Sequence, residues 1–116
     1  LEHHSNYVPW QYLRKKRGVI IKFASMDENG EINVDEFKKQ ITDTTKMIAF
    51  THISNVTGTI MPVKKIIDLA KSKNIPVLID GTQGAQHIGL DVQDLDCDFY
   101  AISCHKMYGP NGLGIL

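Results

Sequence analysis

The sequence lacks the features that mark several large classes of protein. Only two cysteines occur among its 116 residues, Cys97 and Cys104, and their number and spacing suit neither a disulfide framework nor a metal site. Thirteen basic residues balance thirteen acidic ones, so no net charge favours nucleic acid or an anionic membrane surface. No apolar run is long enough for a membrane span or a signal peptide. These absences favour a small-molecule partner and a reducing compartment, the cytoplasm or an organelle.

Short apolar runs alternate with helical patterns along the chain. Strand-like runs lie at residues 18–23, 47–54, 76–80 and 98–103. One helix is predicted after Asn33, an N-cap residue with Glu36 in the capping-box position. A second helix follows Pro62, with apolar residues at the spacing of one helix face, namely Val63, Ile66, Ile67 and Ala70. Apolar strands separated by amphipathic helices predict an α/β fold with a mostly parallel sheet flanked by helices.

Polar side chains follow three of these strands, at the end where α/β sheets bind ligands. They are Asn55, Asp80, Ser103 and Lys106. Side chains alternate along an extended chain, so Ser103 and His105 are expected to face the same way and to suit a phosphate or another anion. Asp80 and Lys106 fit two interpretations equally: an ordinary salt bridge, or a lysine Schiff base with a carboxylate partner for a pyridinium nitrogen, as pyridoxal phosphate chemistry requires.

Three other patterns have structural interpretations. The segment SMDENGEINVDEF resembles a calcium loop around Gly30, but it begins with Ser25 instead of aspartate, and a turn leading into the capped helix is predicted. The aspartates of DVQDLDCDF are interpreted as a solvated loop rather than a metal site. Cys104 and His105 are neighbours whose side chains point apart in an extended chain, so Cys104 is interpreted as a small core residue.

Three ordered motifs resemble those of one enzyme family. The segment IDGTQGAQHIGLDVQDLDCDFYAISCHKMYGPNGLGIL closely resembles the lysine region of the cysteine desulfurases, fold-type I pyridoxal phosphate enzymes of the class V aminotransferase superfamily. HISNVTGT and EHHSNYVPW resemble two further motifs, the latter typical of the branch with the sulfur-mobilisation desulfurases and selenocysteine lyases. The resemblance extends over essentially all 116 residues.

The resemblance assigns catalytic roles to two residues. It implies that Lys106 holds the cofactor as a Schiff base and later moves the α-proton of the substrate. It also implies that His3 stacks on the ring face and assists proton transfer. Asp80 is implied to pair with the pyridine nitrogen.

The resemblance assigns cofactor contacts to four more residues. Gln83 is implied to hydrogen-bond the phenolic oxygen, and Asn55 to lie near that oxygen and the substrate. Ser103 and His105 are implied to hold the phosphate, in agreement with the alternation argument.

The resemblance also implies a longer parent protein. The chain begins without methionine, so we expect residues 1–116 to be part of a pyridoxal phosphate-binding domain without its upstream phosphate turn and C-terminal small domain. Neither Cys97 nor Cys104 matches the family's persulfide-forming cysteine. The implied parent is a homodimer that converts L-cysteine to L-alanine and passes sulfur to an acceptor protein, for iron-sulfur clusters or other cofactors. Two alternatives stay open: a selenocysteine lyase or related β-eliminating lyase, and a non-enzymatic binding module built on this fold.

Overall fold

A four-stranded sheet forms the centre of the chain, and the computed structural model describes all residues from 1 to 116. In spatial order the strands are β1 (Ile48–Thr51), β2 (Val77–Asp80), β3 (Phe99–Ser103) and β4 (Gly114–Ile115). Strands β1, β2 and β3 run parallel, and β4 is antiparallel to β3. The predicted α/β fold with a mostly parallel sheet is confirmed.

Helices connect and flank these strands. They are α1 (Val8–Arg17), α2 (Val34–Gln40), α3 (Val63–Lys71), α4 (Gly84–His87) and α5 (Val92–Leu95), with single 3₁₀ turns at His4–Asn6 and Cys104–Lys106. None of these helices combines the length and apolar character needed to cross a bilayer.

Helix α3 covers one face of the sheet and forms the core with it. Its four predicted apolar residues, Val63, Ile66, Ile67 and Ala70, are all buried and belong to one cluster with Val77 and Ile79 of β2. Each fully buried isoleucine or valine contributes roughly 1.5–3 kcal/mol to folding. The helix predicted after Pro62 is therefore confirmed, and its packing fixes the position of β2.

Helix α2 begins at the predicted cap. The Asn33 side chain accepts hydrogen bonds from the backbone N–H groups of Asp35 and Glu36, at 3.0 and 3.1 Å. The Glu36 carboxylate does not return to Asn33 but pairs with Lys39 at 2.6 Å. The N-cap prediction is confirmed, while only half of the capping box forms.

The strand predicted at residues 18–23 is wrong. Gly18 ends α1 with a φ of 69°, and the residues that follow form no ladder. Within residues 1–116 this apolar run has no neighbouring strand to pair with, and Ile20 is 84% exposed and Phe23 57% exposed. An extended run without a partner leaves its backbone groups to water and does not become a strand.

The two acidic segments have structural roles. Asp27 closes the predicted turn by accepting from the backbone N–H groups of Asn29 and Glu31, at 2.9 and 2.8 Å, and Gly30 takes a φ of 79° in it. In the second segment Asp91 caps α5, Asp96 pairs with Lys71, and Asp98 accepts from the Val77 N–H. Each of these carboxylates thus orders the backbone or a neighbouring side chain.

Candidate cofactor site

A cleft of about 220 Å³ lies at the carboxyl ends of the three parallel strands. All seven residues predicted from the sequence line it, namely His3, Asn55, Asp80, Gln83, Ser103, His105 and Lys106. Four further residues complete the lining, namely Ser5, Thr51, Ile53 and Thr82. Ile53 is the one hydrophobic residue among the eleven, so the cleft is suited to a polar ligand.

Lys106 lies on the 3₁₀ turn that follows β3 and is half-buried. Its amine has no hydrogen bond or ion pair within the chain, whose three salt bridges join Lys39, Lys64 and Lys71 to other carboxylates. The salt bridge that was one interpretation of Asp80 and Lys106 is therefore not formed. An amine free of a carboxylate partner in a polar cleft remains available to a ligand.

Asp80 ends β2 at the bottom of the cleft and is 7% exposed. Its Oδ1 accepts from the Thr82 N–H at 3.1 Å, and no lysine, arginine or histidine pairs with it. A buried carboxylate is costly unless it meets a cation or several donors. Asp80 is thus suited to a ligand that brings a cationic N–H.

A buried pair, Tyr100 and His52, forms the floor beneath the turn that carries Asp80 and Gln83. The Tyr100 hydroxyl and His52 Nδ1 are 2.8 Å apart, and the two rings meet edge to face. Burial raises the pKa of Tyr100 to about 12, and burial lowers the pKa of His52. Both groups are therefore neutral at physiological pH and share one uncharged hydrogen bond.

Gly81 and Gly84 lie directly on this pair. A Cβ at Gly81 would meet Tyr100 Cε1 at 1.7 Å, and one at Gly84 would meet the Tyr100 hydroxyl at 2.8 Å and His52 Nδ1 at 2.9 Å. The two glycines let the turn from Asp80 to Gly84 rest on the aromatic floor. The position of the Tyr100 and His52 rings therefore determines where the Asp80 carboxylate lies.

His3 lies across the cleft, immediately before the first 3₁₀ turn. Its Nδ1 accepts from the Ser5 backbone N–H at 3.2 Å and lies 2.8 Å from the Ser5 hydroxyl. Because a backbone N–H can only donate, the neutral imidazole carries its proton on Nε2. Ser5 thus fixes both the tautomer and the ring of His3.

Ser103 and His105 both line the cleft, but the reason differs from the prediction. The extended chain ends at Ser103, and Cys104–Lys106 forms a 3₁₀ turn, so strand alternation does not apply to residue 105. The interpretation of Cys104 as a core residue is also wrong, because it is only half-buried and lies outside the core cluster.

Neither cysteine lines the cleft. Cys97 packs against the core, and burial raises the pKa of its thiol. Both cysteines are free. Since the thiolate is the nucleophilic form, Cys97 is poorly suited to attack a substrate.

Three polar residues of the lining were missed by the sequence reasoning. Thr51 and Thr82 lie at or just beyond the ends of β1 and β2, so the same strand-end argument extended by a residue or two finds both. Ser5 has no such signal, because it comes from a 3₁₀ turn outside the sheet.

The residues of the cleft fit pyridoxal phosphate. They supply an unpaired amine, a buried carboxylate without a cation, a flat imidazole, and hydroxyl and imidazole donors at the end of β3. The cofactor presents an aldehyde, a pyridinium N–H, a planar ring and a phosphate, which match these groups one for one. The fold and the cleft therefore define an α/β domain whose lining suits a phosphorylated aldehyde cofactor.

Comparison with protein families gives the same class. The family described as Aminotransferase class-V matches residues 1–116, and the chain belongs to that family. Its members are pyridoxal phosphate enzymes.

Similar proteins carry one recurring name. The cysteine desulfurase of Synechococcus elongatus is 46% identical over 116 residues, which is 100% of this chain and 18% of that protein. A probable cysteine desulfurase of Halalkalibacterium halodurans is 45% identical over 116 residues, 100% of this chain and 29% of that protein. The crystal structure of the cysteine desulfurase CsdA from Escherichia coli superposes with a TM-score of 0.91 at 40% identity, covering 97% of this chain and 28% of that one. The chain thus spans less than a third of the length of these proteins.

Proposed function

We propose that the protein to which this chain belongs is a pyridoxal phosphate-dependent cysteine desulfurase. It converts L-cysteine to L-alanine and transfers the sulfur atom to an acceptor thiol as a persulfide. The observation that carries the proposal is the cleft in which the free amine of Lys106 and the buried carboxylate of Asp80 converge without pairing with each other. The names of the similar proteins support the same reaction.

Lys106 and Asp80 have complementary tasks in this proposal. Lys106 binds the cofactor through its aldehyde and, once released by the substrate, moves the proton at the substrate Cα. Asp80 accepts a hydrogen bond from the protonated ring nitrogen. When bound, the cofactor supplies an electron sink for the substrate carbon. The turn above Tyr100 holds the Asp80 carboxylate in place.

The other residues of the cleft orient the cofactor. Ser103 and His105 donate to its phosphate, and Gln83 donates its amide to the phenolic oxygen, with Asn55 nearby for the substrate. His3 stacks on the ring and presents its Nε2 proton away from Ser5.

The sulfur-accepting thiol belongs to another part of the protein in this proposal, because neither Cys97 nor Cys104 lines the cleft. Residues 1–116 are then part of the cofactor-binding domain. We further propose a homodimer in a reducing compartment that passes sulfur to an acceptor protein for iron-sulfur cluster or other cofactor assembly.

Borohydride trapping tests the assignment of the lysine. The intact protein is loaded with pyridoxal phosphate, reduced and digested, and the pyridoxyl group is expected on Lys106. Lys65 is the matched control, since it is exposed on α3 and its amine makes no hydrogen bond or salt bridge, and Lys65→Ala should leave the labelling unchanged. Labelling of Lys65 or another lysine in place of Lys106 would contradict the proposal.

Product analysis tests the reaction. L-cysteine with a reductant should give L-alanine and sulfide in equal amounts, measured against free pyridoxal phosphate, which decomposes cysteine slowly. Pyruvate in place of alanine would indicate a β-eliminating lyase. A strong preference for L-selenocysteine would indicate a selenocysteine lyase, and no cofactor binding at all would favour a binding module.

A further inference from the structure

Glu2, which precedes His3, joins the first segment of the chain to the sheet. Its Oε1 accepts from the Thr51 N–H at 2.8 Å, and its Oε2 accepts from the Asn6 side-chain amide at 2.7 Å. Asn6 Oδ1 in turn accepts from the Trp10 indole N–H at 3.1 Å. Asn6 is 8% exposed, and Glu2 and Trp10 are half-buried, so this chain of hydrogen bonds is partly withdrawn from water.

The chemistry of the donors fixes the direction of every bond in this network. The indole N–H of Trp10 can only donate, so the Asn6 oxygen faces it and the Asn6 amide faces Glu2. The Thr51 backbone N–H can also only donate. Both oxygens of Glu2 must therefore accept, which a carboxylate can do and a glutamine amide cannot.

The network binds the outer side of β1 within residues 1–116. Among residues 1–116, strand β1 is the outermost strand on its side, so within this chain the Thr51 N–H that faces away from β2 has no strand partner. The Glu2 carboxylate takes the place of that partner, 49 residues away in sequence. A second tie joins the Ser54 hydroxyl to the Leu1 carbonyl at 3.1 Å.

His3 lies between the points that this network holds. Glu2 is on one side, and on the other the Asn6 N–H donates to the His3 carbonyl at 3.0 Å. Both Asn6 contacts, one from its side chain and one from its backbone, thus bracket the residue that faces the cleft. Displacing the Glu2 carboxylate would remove the contacts that hold the chain immediately before His3.

The pKa of the Glu2 carboxyl reflects both its burial and its hydrogen bonds. Burial raises the pKa of its carboxyl, and the hydrogen bonds from Thr51 and Asn6 oppose that shift, while the charge of Asp80 adds to it. The donors thus compensate part of the cost of keeping a carboxylate in this position.

We propose that Glu2 is a positioning residue, which acts through the carboxylate network with Thr51, Asn6 and Trp10 to hold His3 over the cofactor cleft. The proposal deepens the proposed function and rests on it. Glu2 itself is not among the residues that line the cleft. Its effect on the cofactor is therefore indirect, and the proposal assigns that effect to His3, the next residue along the chain, rather than to Thr51, which also lines the cleft.

The first experiment replaces the carboxylate with its amide in the intact protein. Glu2→Gln leaves one donor facing another donor, because Trp10 fixes the orientation of Asn6. We expect the Kd for pyridoxal phosphate, measured by fluorescence titration, to rise roughly tenfold, the size of one lost charge-assisted hydrogen bond. The absorption maximum of the bound cofactor should shift as well. Glu28→Gln is the matched control, since Glu28 is exposed and its carboxylate makes no hydrogen bond.

A second pair of variants separates positioning from general stability. In a His3→Ala background, Glu2→Gln should have no further effect on the Kd, whereas a purely structural role would reduce affinity in both backgrounds. Trp10→Phe removes the donor that fixes Asn6, so its amide can turn and accept from Gln at position 2. The double variant Glu2→Gln with Trp10→Phe should therefore bind the cofactor more tightly than Glu2→Gln alone, even where the single variant folds poorly.

The outcomes distinguish the two proposals. If the unaltered protein binds no pyridoxal phosphate or carries it on a lysine other than Lys106, the proposed function fails. If it binds the cofactor on Lys106, then the positioning role is overturned by any of three results. These are an unchanged Kd in Glu2→Gln, an equal loss in the His3→Ala background, and a double variant that recovers nothing.

Discussion

Replacing Gly81 with alanine is expected to disturb the cleft more than any other glycine-to-alanine change in the chain. Gly81 follows Asp80 directly, and its φ lies outside the left-handed region, so alanine meets no backbone strain there. The obstacle is steric, since the new Cβ would lie 1.7 Å from Cε1 and 2.1 Å from Cζ of Tyr100. Either the ring or the turn must move.

Neither can move freely. Carbon atoms pack at about 3.5–4.0 Å, so the two groups must separate by roughly 2 Å. Tyr100 is 7% exposed and its hydroxyl is held by His52, while the Gly81 N–H donates to the Ala101 carbonyl at 2.8 Å. Overpacking of this kind costs about 1–3 kcal/mol of unfolding free energy. A displacement of the Asp80 carboxylate by about 1 Å would reduce turnover on the order of 10²-fold.

The assay compares two alanine variants of the intact protein by denaturant unfolding, cofactor titration and turnover. Gly89→Ala is the matched control, because its Cβ would meet nothing within 4 Å and its φ is also outside the left-handed region. It should leave the unfolding free energy within about 0.5 kcal/mol of the unaltered protein. If Gly81→Ala behaves like Gly89→Ala in all three measurements, the aromatic floor does not support the turn.

Three further changes have definite expected outcomes. Asp80→Asn keeps the acceptor for the Thr82 N–H but removes the negative charge. The variant should therefore show the circular dichroism of the folded protein, while its turnover falls about 10²–10³-fold. Full turnover would contradict the role of the carboxylate. Tyr100→Phe leaves His52 without its partner and should lower the unfolding free energy by about 1–3 kcal/mol in chemical denaturation. Because the pKa of Tyr100 is raised to about 12 in the folded protein, the unfolded chain loses this proton first as pH rises from about 10. The unfolding free energy of the unaltered protein should therefore fall between about pH 10 and pH 12, and that of Tyr100→Phe should lack this part of the decrease. If the unfolding free energies of both proteins fall in parallel with pH, the raised pKa of Tyr100 is refuted. Asn33→Ala removes the cap of α2 and should cost about 1 kcal/mol, with no change in cofactor affinity.

The elements that were predicted correctly are those whose pattern reflects burial. Helix α3 presents four apolar residues at helical spacing, and all four are buried against β2. Helix α1 shows the opposite case, since it was not predicted from the sequence and none of its residues is buried. The false strand at residues 18–23 is apolar without being buried. A local pattern reports burial only where another element comes to cover it, and that depends on the rest of the fold.

Four of the lining residues were predictable from the strand ends alone, namely Asn55, Asp80, Ser103 and Lys106. His3 and Gln83 were expected only from the family resemblance. Parallel strands bring their carboxyl ends to one edge, so the ends of β1, β2 and β3 supply a cleft whatever the intervening helices do. What this argument misses is the support from elsewhere. From a segment before the sheet, Ser5 reaches the cleft and Glu2 binds the Thr51 N–H. The contact between Tyr100 and Gly81 joins β3 to the turn after β2. Such contacts depend on three-dimensional register and leave no local signal.

The end of β3 shows how a correct conclusion followed from an incomplete premise. In an unbroken strand, Ser103 and His105 would share one face and Lys106 would point to the other, so alternation cannot bring all three into one cleft. The chain instead leaves the extended conformation at Cys104, and the 3₁₀ turn directs both His105 and Lys106 to the side of Ser103. That turn closes on the Cys104 carbonyl, which accepts from the Gly109 N–H at 2.9 Å. A Cβ at Gly109 would lie 3.0 Å from both the Cβ and the carbonyl oxygen of Cys104, so a side chain there would push against the turn that gathers the three groups. A glycine after this lysine is therefore part of how the chain builds the site.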